Sequence, residues 1–273
     1  MRERAEWRAA LCAMLAMSGT GLSSGRELAL FFGQLREAAW VGIPAASALF
    51  GLLVAGAVSR GPVTLQGNKI DRLCRILRRI LAALVSVHML KTLGDMGAMT
   101  LPLRHGFAFG AAFGLLSALA LMRMKYRWAA GLCVVLFVGM FYAACAADPT
   151  PARVYVRTYA DFTLENSVPA ALLLALVYAA LNACAAAWGL RGLRPGAVRP
   201  FGVGIRCAGL MCLILSLGNL ALLRGGDAVI VHPAPWVALS ARWGLFGFYL
   251  CAGLQAVCAA ATLSVSFGTI INR

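Results

Sequence analysis

The stretch SGTGLSSGRELALFFG, residues 18–33, decides how this chain is read. A hydrophobic run that opens at Trp7 reaches three glycines interleaved with hydroxyls, then resumes behind an Arg-Glu pair. Hydrocarbon offers no water to peptide groups, so irregular backbone at membrane depth persists only where protein buries it or it lines a cavity. Gly19, Gly21 and Gly25 make it easier to leave helical geometry, and the opened turns present carbonyls and amides to an ion or a solute. The pattern predicts a discontinuous first membrane helix, broken near residues 18–25. Glycines that only let two helices pack closely are the plainer alternative. The hydroxyls of Ser18, Thr20, Ser23 and Ser24, followed at once by Arg26 and Glu27, favour a site. A nucleotide-binding glycine loop does not fit, because no strand precedes the string.

Composition sets the class. Hydrophobic residues make up 61% of the 273-residue chain and charged ones 13%, with a mean hydropathy of +0.80. Soluble domains carry about 45–50% apolar residues, so the expectation is an all-α polytopic membrane protein in contact with the lipid bilayer. Apolar runs of roughly 20 residues between charges or Pro/Gly turns give about eight transmembrane helices. They fall near 8–33, 38–58, 78–99, 105–122, 128–147, 167–190, 203–223 and 238–268. The polar stretch DPTPARVYVRTYADFTLEN, residues 148–166, connects two groups of helices, 1–147 and 167–273.

With the N-terminus cytoplasmic, 17 of the 25 Lys and Arg residues lie inside and six outside, leaving Arg26 and Lys91 at membrane depth. The positive-inside rule therefore predicts a multi-pass protein of the cell membrane with both termini cytoplasmic. The net charge of +15 is spread over the cytoplasmic loops, densest in IDRLCRILRR at 70–79, where it meets anionic head groups and calls for no nucleic acid. The N-terminal apolar run leads into the glycine break rather than a cleavage site, so it is expected to remain in the mature chain. Nine cysteines include no CxxC pair and accompany no His cluster, which argues for packing rather than a disulfide framework or a metal site. Gly106, Gly110 and Gly114 form a smooth stripe for a neighbouring helix.

Several polar side chains fall at membrane depth. Glu27, beside the break, is a candidate to bind a cation, take a proton, or pair with Arg26 or Lys91. His88, Lys91 and Asp95 share one face of the third span, where a Lys91–Asp95 pair is set against a proton relay. Tyr178 and Asn182 lie one turn apart; the amide suits a zwitterionic solute or glue between helices. Gln255 and Asn219 read as such glue.

The first-helix string, then MLKTLGDMGAMTLPLRHG at 89–106 and ALVYAALN at 175–182, resembles in order the YkvI-type membrane proteins of the amino acid–polyamine–organocation transporter superfamily. Residues 19–27 match the family's G-x-G-[FL]-[AS]-[ST]-G-x-E. The resemblance implies a LeuT-like fold of two inverted five-helix repeats whose first helices line a central site. Residues 1–147 would be the first repeat, 148–166 an extracytoplasmic connection, and 167–273 a partial second repeat of three helices. Such transporters have at least ten core spans, so this chain reads as a shortened member. The sixth span has no glycine before Gly189, which departs from a matching break. Sodium-coordinating hydroxyls would be sought at Thr262, Ser264 and Ser266.

Together these readings predict a bacterial secondary transporter of a small polar, amino-acid-like solute, coupled to a Na+ or H+ gradient and needing no other cofactor. The expected site comprises Ser18, Gly19, Thr20, Gly21, Ser24, Gly25, Glu27, Asp95, Tyr178, Asn182, Thr262 and Ser264. The alternative is a non-transporting receptor or assembly subunit. A homo-oligomer or a membrane partner subunit is the expected assembly. No Ser/His, paired-carboxylate or HExxH arrangement points to an enzyme.

Overall fold

A computed structural model describes residues 2–19, 22, 24–60, 69–100, 105–123, 127–148, 167–190, 196–232 and 234–271. Among these the chain is helical and contains no strand. Helix α1 is Arg2–Met17 and α2 is Arg26–Phe31; a 3₁₀ stretch, Gly33–Ala38, leads into α3, Ala39–Arg60. Then come α4, Lys69–Thr100, α5, Gly106–Arg123, α6, Arg127–Ala147, and α7, Val168–Gly189. After α8, Pro200–Gly225, two short helices, α9 (Asp227–Ile230) and α10 (Pro235–Ser240), precede α11, Gly244–Ile271.

Among the described residues, six segments are long and apolar enough to cross a membrane: Gly33–Ser59, Gly106–Arg123, Arg127–Ala147, Val168–Gly189, Pro200–Gly225 and Pro235–Ile270. The other two expected spans do not count among these six. The first is divided between the 16 residues of α1 and the six of α2. The third expected span lies within α4, whose N-terminal part is densely charged. The eighth span was expected as one helix from residue 238. Instead the chain turns at Gly244, with φ 61°, between α10 with its 3₁₀ extension and α11.

Helix starts follow local chemistry. Ser167 Oγ accepts from the Ala170 amide at 3.4 Å, and Pro169 follows, where its missing N–H leaves no intrahelical bond unmade. Pro200 opens α8 in the same way.

Helix α1 is the centre of the bundle, enclosed by α6, α7 and α8. Glycine makes this possible, since Gly131 of α6 lies on the Leu11 carbonyl and Gly189 of α7 on that of Cys12, where no Cβ fits. On α1 itself Ala9, Ala10, Ala13 and Ala16 are buried, so neighbouring backbones approach closely. Helices α3 and α8 cross at Gly51 and Gly204, where a Cβ on Gly51 would stand 2.6 Å from the Gly204 carbonyl oxygen. The expected glycine stripe on α5 meets α4: a Cβ on Gly110 would stand 2.8 Å from the Gly97 Cα. Helices α4 and α5 lean on α11 through Met89, Leu93, Ala118, Ala259 and Leu263.

Candidate functional site

The first helix is interrupted where the glycines and hydroxyls predict. Helix α1 stops at Met17, Ser18 and Gly19 leave helical geometry, and α2 begins after Gly25. Thr20, Gly21 and Ser23 lie outside the described residues. Gly25 has φ 81°, a left-handed conformation that an L side chain adopts at a penalty of about 1–2 kcal/mol. A Cβ there would also press to 2.8 Å from the Trp236 ring, so position 25 needs glycine on two counts.

A carbonyl freed by the break must find donors. That of Leu22 accepts from the Tyr142 hydroxyl, from Trp236 Nε1 at 2.9 Å and from the Gly25 amide at 3.2 Å. Trp236, on α10, is fully buried, and its ring lies 4.4 Å from that of Tyr142 on α6. Phe141 packs edge-on against both Trp236 and Trp243. The break is thus roofed by aromatic residues, and this carbonyl is saturated. Neither Tyr142 nor Trp236 was among the expected site residues: one lies in an apolar run, the other follows Pro235 in a connection, and pairing them with Leu22 needs the tertiary structure.

Other polar groups around the break lack partners. Thr262 Oγ1, on α11, is buried without a hydrogen bond, and a Cβ on Gly19 would lie 3.7 Å from it. The Tyr178 hydroxyl, on α7, is likewise buried without a well-formed hydrogen bond, with the Asn182 side chain as a polar neighbour, and its ring is held edge-on at 5.2 Å by both Phe31 and Phe32. Glu27, in the first turn of α2, is half-buried. It forms no ion pair among the described residues; Arg26 is exposed, so the expected Glu27–Arg26 or Glu27–Lys91 pair is absent. Both amide atoms of Asn219 are buried without a partner. Its neighbour Gly218 packs on Leu28 and Tyr142. Asn219 is therefore not the interhelical glue expected, and Gln255 bonds along its own helix to Cys251 Sγ at 3.6 Å. Each unpartnered buried polar group costs about 1–3 kcal/mol, so three such side chains call for an account.

The remaining expected residues divide. Ser18 Oγ donates to the Leu15 carbonyl at 2.8 Å, and Ser264 Oγ to that of Ala261 at 2.6 Å, which leaves their lone pairs as acceptors. Ser24 Oγ accepts from the Arg26 amide at 3.3 Å. Asn182 donates to the Tyr178 carbonyl one turn back, at 3.0 Å. Asp95 is not brought to the break. Met89 of α4 lies against Gly19, and Asp95 is about 9 Å further along the axis and about a third of a turn around it.

Arg206 with Glu3 and Glu6, and Arg36 with Asp227, fasten the flanks of the interrupted helix; Arg206 Nη2 lies 3.4 Å from Glu3 Oε1. Arg206 Nη1 of α8 lies 2.7 Å from Glu6 Oε2 of α1, and Gly202 leaves room for that carboxylate. Arg206 also stacks over Trp7 at 5.3 Å. Beyond α2, Arg36 meets Asp227 at 3.3 Å, with both side chains well exposed. A cleft of about 20 Å³ between Gly33, Gln34, Arg36, Asp227, Ile230 and Val231 has room for one water.

No group of three or more His, Cys, Asp or Glu suited to a metal occurs among the described residues. These features define a multi-pass helical membrane protein with a polar, broken helix at its centre. No protein-family model, curated protein or solved structure matches the chain.

Proposed function

We propose that this protein is a secondary transporter of a small polar, amino-acid-like solute, with a LeuT-like arrangement around its interrupted first helix and both termini in the cytoplasm. The observation that carries the reading is the buried hydroxyl of Thr262 beside Gly19 at the break, with the buried Tyr178 hydroxyl on the helix that packs against Phe31 and Phe32. A solute bearing donors and acceptors would complete their hydrogen bonds and remove their desolvation penalty. Glu27, at the start of α2, takes the coupling cation, Na+ or H+, so that cation occupancy is linked to the break that holds the solute. The two flanks of the broken helix move separately, α1 governed by Glu6–Arg206 and the segment after α2 by Arg36–Asp227.

The test is uptake of radiolabelled amino acids by proteoliposomes under an imposed sodium or pH gradient. Accumulation above protein-free liposomes supports transport. A second reading, a receptor or assembly subunit that binds without flux, is favoured by the aromatic roof that saturates the Leu22 carbonyl. Binding with no accumulation under either gradient selects it.

A further inference from the structure

Helix α4 has two contrasting faces. Its inner face buries Met89 and Leu93 against Ala118 of α5 and Ala259 and Leu263 of α11, which sets residues 80–95 alongside two membrane-spanning helices. On its outer face Ile80, Leu84 and Val87 are exposed, up to 67% for Val87. His88 and Lys91 are exposed on the same stripe, and Asp95 is half-buried one turn beyond. None of the side chains of His88, Lys91 and Asp95 forms an ion pair or hydrogen bond among the described residues, so the Lys91–Asp95 pair expected within the helix is not made. The outward face of neighbouring α5 offers Phe107, Phe109, Phe113 and Leu116, which suit lipid. Lipid cannot satisfy an ammonium, a carboxylate and an imidazole.

We propose that a second copy of this chain covers the outer face of α4, related by a two-fold axis along the membrane normal, with Lys91 of each copy meeting Asp95 of the other. The face is self-complementary: it carries one cation and one anion a helical turn apart, so two copies bring opposite charges together without net repulsion. Copies inserted in the same orientation run their α4 helices parallel, and the four-residue offset, about 6 Å of rise, lies within the reach of a lysine side chain. An isologous contact of this kind doubles each pair. Leu84 and Val87 supply the apolar contact beside it.

The experiment uses the full chain in lipid nanodiscs. A benzophenone amino acid at Val87, with every charge native, is irradiated; a covalent homodimer is expected, and none from the same probe at lipid-facing Leu173 of α7. Two differently tagged forms, Lys91→Asp and Asp95→Lys, then separate pairing between copies from pairing within a helix. Each form alone places like charges together and should self-associate at least tenfold more weakly than the native chain. Co-expressed, they should recover native-level association as mixed dimers. A single copy per nanodisc with no homodimer from Val87, a Val87 crosslink only to another protein, or native self-association by either form alone overturns the proposal. If the charge variants do not fold, the Val87 crosslink decides alone.

Discussion

At position 25 two requirements meet, a left-handed backbone and a tryptophan ring where a Cβ would stand. Gly25→Ala should therefore destabilise the protein by about 2 kcal/mol or more, read as a lower unfolding temperature in detergent. Trp236→Phe puts a smaller ring at a fully buried site and removes the Nε1 donor to Leu22, and should cost about 2 kcal/mol, mostly from the cavity, because Tyr142 and the Gly25 amide still reach that carbonyl. If Gly25→Ala proves as stable as the native chain, the roof over the break is not built as described. The glycines and hydroxyls at 18–25 made the interruption legible in sequence, since both features act locally. Tyr142 and Trp236 were not legible, because their partner is a carbonyl over a hundred residues away and side-chain identity says nothing about where a freed carbonyl points. Asn219 misled for a related reason: an amide in an apolar run reads as glue until its surroundings show no partner.

Between elements, burial decides how much an ion pair matters. Glu6 and Arg206 are 8% and 17% exposed at the side chain, whereas Arg36 and Asp227 are 41% and 75% exposed. Glu6→Ala leaves the largely buried Arg206 guanidinium with only the exposed Glu3 carboxylate at 3.4 Å and the Gly202 carbonyl at 2.9 Å, and should cost about 2 kcal/mol, while Asp227→Ala should cost under about 1 kcal/mol. Thermal unfolding of the two variants side by side tests the ranking, and equal losses would contradict it. Most helices could be placed from apolar run length, as the match of 128–147 with α6 and 167–190 with α7 illustrates. The last span is placed in the right region, 238–268 within 235–270, but its turn at Gly244 is not read, although Arg242 interrupts the apolar run two residues before it.

For the whole molecule, the arginine distribution and the bundle make separate statements. Among the described residues the bundle has six helices able to cross a membrane and an interrupted helix at its centre; the arginine distribution predicts, separately, a cytoplasmic side. An engineered cysteine near Pro62 should resist a membrane-impermeant thiol reagent applied outside sealed cells, and ready labelling there would reverse the topology. The central claim is that the interrupted helix is a coupled solute site, with Glu27 as its ionisable group. The most direct measurement compares native protein and Glu27→Gln in proteoliposome uptake of radiolabelled amino acids under sodium and pH gradients, with both proteins first shown to be monodisperse and equally stable. The account predicts gradient-dependent accumulation by the native chain and its loss in Glu27→Gln; a stable Glu27→Gln protein that accumulates solute as the native chain does would contradict it.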